Sequence, residues 1–80
     1  MDMQQRVTYI MELADAIHER VGMITIVKDV EVDPYPQGVM VTVETTNGQT
    51  TKTPLPWDIR PGDAIYTIRN VAKMAYALNA

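Results

Sequence analysis

Between Asp2 and Gly22, apolar residues recur every three or four positions: Met3, Val7, Ile10, Ala14, Ile17 and Val21, with Met11 and Leu13 widening the stripe. That period predicts an amphipathic helix with one core-facing side. Asp2 and Gln5 stand at capping-box spacing at its start, and Gly22 offers a left-handed residue to end it. Beyond Gly22 the period falls to two. Within Met23–Asp33, Ile24, Ile26, Val30 and Val32 are apolar at even positions, whereas Asp29, Glu31 and Asp33 are acidic at odd ones, and Lys28 alone breaks the even set. This alternation predicts a half-buried strand. Pro34 and Pro36 cannot donate to a ladder, so the strand is expected to stop at the turn-rich segment Asp33–Gly38. Val39, Val41, Val43 and Thr45 form the next alternating set.

Asn47-Gly48 marks a hairpin. A two-residue loop would oppose Val43 and Lys52 and mix the faces. A three-residue loop with Gly48 left-handed instead pairs Val43 with Thr51, Val41 with Thr53 and Val39 with Leu55, and is preferred. The third strand is expected over Gln49–Leu55. Arg60-Pro61-Gly62-Asp63 reads as a tight turn, with Asp63 capping a last helix whose apolar face is Ile65, Ile68, Val71, Ala72, Ala75 and Leu78. The prediction is one α+β domain over residues 1–80, ordered helix, three-stranded antiparallel meander, helix, with both helices on one sheet face and Trp57 covering one end of the core. The opposite face would present Met23, Thr25, Val27, Met40 and Thr42. In a chain with six Met, such a face suits another protein or a second copy.

Composition narrows the chemistry. The chain has no Cys, Ser or Phe and a single His. Serine and cysteine nucleophiles, thiolate metal sites and disulfides are therefore excluded. His18 lies three residues after Asp15, but no Ser or Cys is present for it to activate, and it reads as a structural or surface histidine. Asp29, Glu31 and Asp33 share one strand face about 6.6–6.8 Å apart, too wide for two of them to grip one Mg²⁺. No catalytic residue, metal site or cofactor is assigned.

Charge is divided unevenly: residues 1–33 carry seven acids and three bases, residues 34–80 three acids and four bases. Glu12, Asp15 and Glu19 on the first helix, with Asp29, Glu31 and Asp33, form a candidate acidic surface for a partner with a basic surface. Tyr66, Arg69, Lys73 and Tyr76 on the last helix form a contrasting strip suited to an anionic partner.

The order of elements, and the Ala-rich tail Asn70–Leu78, resemble the double-stranded RNA-binding domain. That resemblance implies nucleic-acid binding through the last helix. Where that family opens its helix with lysines, however, this chain has Pro61-Gly62-Asp63-Ala64, and the first strand connection lacks the family's His. With a net charge of −3, nucleic acid is disfavoured as the partner. The expected function is a non-enzymatic protein-interaction module, of the kind found among small accessory or inhibitor proteins of phages and other mobile elements. The alternatives are a structural subunit of a homo-oligomer or larger assembly, and nucleic-acid binding through the last helix. Met1–Gln5 shows no apolar signal-peptide core and no apolar run approaches a membrane span, so a cytoplasmic protein is expected.

Overall fold

In a computed structural model, which describes residues 2–79, the order is α1 (Met3–Val21), β1 (Val27–Tyr35), β2 (Gly38–Thr45), β3 (Thr50–Pro56) and α2 (Pro61–Ala77). The capping box forms as its spacing implies: Gln5 N–H donates to Asp2 Oδ1 at 2.8 Å and Asp2 N–H to Gln5 Oε1 at 3.0 Å. The α1 C-terminus differs from expectation. Gly22 keeps a right-handed conformation (φ −60°, ψ −17°), and its N–H bonds back to the Arg20 carbonyl. The chain then runs through successive turns, with Met23 N–H on the Arg20 carbonyl and Ile24 N–H on the Val21 carbonyl, so no left-handed residue is required.

The sheet is an antiparallel meander with β2 in the centre. Val43 pairs with Thr51, Val41 with Thr53 and Val39 with Leu55, the register of the three-residue loop, and Gly48 is left-handed at φ 92°. Thr45 N–H donates to the Gln49 carbonyl, which makes every second pair onward a hydrogen-bonded one. Pro54 and Pro56 therefore face the open edge of β3, where a missing N–H breaks no ladder bond. On the other edge, the Val30 carbonyl points away from β2 and accepts from His18 Nε2 at 2.8 Å. Pro34, in register with Val39, also turns its ring nitrogen outward. This corrects the expected end of β1: outward prolines on an edge strand do not stop it, and β1 continues to Tyr35, with Pro36-Gln37 as the connection.

The start of β1 also differs. Met23–Ile26 lies in turns, and pairing begins at Val27 opposite Thr45. Asp29 then opposes Glu44, so Lys28 is the extra residue of a β-bulge. Lys28 interrupts the even apolar set because the strand changes register there. At the other end of the sheet, Asp63 is not a cap. Pro61 occupies the first helical position of α2, Arg60 precedes it in extended conformation, and Asp63 sits in the first turn. Proline's fixed φ suits that position and its missing N–H would have no helical partner, so the turn predicted over residues 60–63 becomes the helix start.

Both helices cover one face of the sheet. Leu13 and Ile17 of α1, Ala64, Ile68 and Ala72 of α2, and Val30, Val39, Val41, Val43 and Leu55 of the strands form one buried cluster. Removing these apolar side chains from water is the main stabilising contribution, about 25 cal/mol per Å².

Candidate interaction surfaces

Register decides what the uncovered sheet face presents. Val30, Val32, Val39, Val41 and Val43 are on the helix side, buried or half-buried, so their neighbours point outward: Asp29, Glu31 and Asp33 from β1, Met40, Thr42 and Glu44 from β2, and Thr50 and Lys52 from β3. Across the strands, Asp29 opposes Glu44, Glu31 opposes Thr42, and Asp33 opposes Met40. The strand acids of the acidic candidate surface thus share one face with Met40 and Thr42 of the sheet-face candidate, and with Glu44 four carboxylates surround Met40 and Thr42. Asp29 and Glu44, directly opposed, repel each other. The bulge offsets this by placing Lys28 Nζ 3.6 Å from Glu44, an exposed pair of modest strength.

Three residues expected on this face are elsewhere. Met23 and Thr25 precede the strand; both are exposed in the turns after α1. Val27, opposite the buried Thr45, packs against the core because the bulge reverses the alternation on its N-terminal side. The acidic residues of α1 are a separate group. Glu12, Asp15 and Glu19 are exposed on the side of α1 opposite Leu13 and Ile17, pointing away from the sheet. Asp29, Glu31 and Asp33 lie beyond the sheet's other face, so the six carboxylates do not form one surface.

On α2, Tyr66, Arg69 and Lys73 are exposed and Tyr76 is half-buried. Tyr76 lies where its backbone carbonyl accepts from Asn47 Nδ2 at 2.9 Å, tying the β2–β3 turn to the end of the helix. Inside that turn, Thr45 is fully buried, its hydroxyl donating to Asn47 Oδ1 at 2.6 Å and accepting from Gln49 N–H at 3.0 Å.

A further surface was not foreseen. The first two turns of α1, Met3–Thr8, are exposed throughout, and Leu13 is the first fully buried side chain of the helix. Beside them stands the β1–β2 hairpin tip. Met3, Val7, Ile10, Pro34, Tyr35, Pro36 and Trp57 line a groove of about 420 Å³ in which Arg6 is the sole charged side chain among the described residues. Arg6 stacks over the Trp57 ring, its guanidinium carbon 5.2 Å from the centroid. Tyr9 meets the same indole edge-on at 5.9 Å and donates its hydroxyl to the Ile59 carbonyl at 3.0 Å. Burial pushes the Tyr9 phenol above its ordinary pKa, and the negative charge of Asp58 adds to the rise. The Trp57 N–H is buried without an acceptor among the described residues. The signal for this groove lay in Met3 and Val7, which the helical period assigned to the core.

Neither a known protein family, a curated protein nor a solved structure matches the chain. Its likeness to the double-stranded RNA-binding domain is therefore one of element order, with Asp63 exposed in the first turn of α2 where that family has lysines. Among the described residues, no helix is long and apolar enough to cross a membrane.

Proposed function

We propose that this chain is a non-enzymatic interaction module that captures a basic segment of a larger protein across its uncovered sheet face, as accessory and inhibitor proteins do. The observation that carries this reading is the clustering of Asp29, Glu31, Asp33 and Glu44 around half-buried Met40 and Thr42 on the side no helix covers. Carboxylates supply steering and register, while Met40 supplies adaptable apolar contact. A lysine- or arginine-bearing partner would neutralise the Asp29–Glu44 repulsion that Lys28 only partly relieves.

The separation of the two acidic groups provides the test. Affinity capture from source-cell lysate, read by mass spectrometry, should lose its basic partner when Glu31→Lys and Asp33→Lys are combined. The pair Glu12→Lys and Glu19→Lys, on the far side of α1, should retain it. All four positions are exposed, so folding is expected to survive, and circular dichroism checks this. Equal capture by both variants would refute the sheet face as the binding surface. Capture should also weaken as salt rises above about 0.15 M, where the Debye length is about 8 Å.

A further inference from the structure

We infer that the groove between the start of α1 and the β1–β2 hairpin is a binding site for a small amphipathic carboxylate, an apolar body ending in one carboxylate group. The inference is independent of the proposed function, since the groove shares no residue with the acidic sheet face.

Volume and lining suit a small ligand. About 420 Å³ lies within the range of small-molecule sites, and Met3, Val7, Ile10 and Tyr35 give it apolar walls against Trp57. Charge specifies the other end of the ligand. In a chain of net charge −3, the sole charged group lining this groove among the described residues is a cation. Among the described residues, Arg6 has no carboxylate partner, and none of its side-chain N–H groups donates a hydrogen bond to the protein. The guanidinium carbon lies over the Trp57 ring at 5.2 Å from its centroid, a cation–π contact that uses none of the Arg6 N–H donors. Those N–H groups are left without a protein acceptor among the described residues, and a guanidinium's planar fork matches a carboxylate in two-point contact. The apolar body then lies along Val7 and Ile10, while the carboxylate meets Arg6 at the rim.

Trp57, the only Trp in the chain, is the reporter. Decanoate, held below its micelle concentration, should change Trp57 emission saturably. Decanol and decylammonium, with the same apolar length, should bind at least about threefold more weakly, the difference expected for an exposed charge-assisted contact. Arg6→Gln should abolish this preference and leave a residual, charge-independent affinity. Amide chemical-shift changes in the unsubstituted protein should centre on Met3–Ile10 and Tyr35. Equal affinity for the three probes, or shift changes centred away from the groove, would overturn the assignment. So would Trp57 emission that depends on protein concentration without any probe, because a second copy would then be the occupant.

Discussion

Of the glycines, Gly38 alone stands where a side chain would collide with backbone. Gly38 opens β2 opposite Pro56, and a Cβ built on it would lie 1.8 Å from the Leu55 carbonyl oxygen, which is backbone and cannot swing aside. Gly48 is required for a different reason, its φ of 92°, and the space around it is open. The two glycines should therefore respond differently to the same added methyl. Gly38→Ala must push β3 away from β2 beneath Val39 and Leu55 and is expected to cost about 3 kcal/mol. Gly48→Ala strains one turn and is expected to cost about 1–2 kcal/mol. Urea unfolding midpoints compare them, and equal losses would mean that the β2–β3 contact at Gly38 relaxes freely. From sequence, Gly48 was legible because Asn-Gly is a local turn signal, but Gly38 looked like the end of a loop. Its constraint comes from a strand 17 residues further along the chain, which no local pattern reports.

At the scale of elements, legibility followed how local the determining interaction is. The α1 cap and the β2–β3 register depend on residues within a few positions of each other, and both follow from the sequence. The beginning and end of β1 do not. Pro34 is compatible with a strand only because β1 is an edge, and Lys28 is tolerated only because a bulge turns it toward Glu44. The sheet face was misassigned for the same reason: the bulge reverses Val27, while Met23 and Thr25 lie in turns before the strand begins. The N-terminal part of α1 shows the converse, since its stripe is regular but Met3 and Val7 are exposed. That part of the helix depends on its cap more than on packing. Asp2→Ala should consequently speed hydrogen exchange at the amides of Gln5–Thr8 by a factor matching about 1 kcal/mol, with a smaller shift in the global unfolding midpoint. A full 1 kcal/mol loss of global stability would show instead that the first turns are coupled to the core.

At the scale of the molecule, all five elements contribute to one buried cluster, and no second core exists among the described residues to hold any element after the rest has opened. A chain of 80 residues buries too little surface to sustain stable parts. Unfolding should therefore be a single transition. Two probes report on different regions. Far-ultraviolet circular dichroism is dominated by α1 and α2, whereas Trp57 emission senses its packing under Arg6 and Tyr9 between the end of β3 and α1. In urea the two curves should superimpose, with a slope of about 1 kcal/mol per M, as befits a small domain. If Trp57 emission changed at lower urea than the helical signal, the groove end would open ahead of the core, and the Arg6–Trp57–Tyr9 stack would be a separately melting unit. Coincident curves instead make the stack part of the core, so that a ligand seated on it raises the midpoint of the whole molecule.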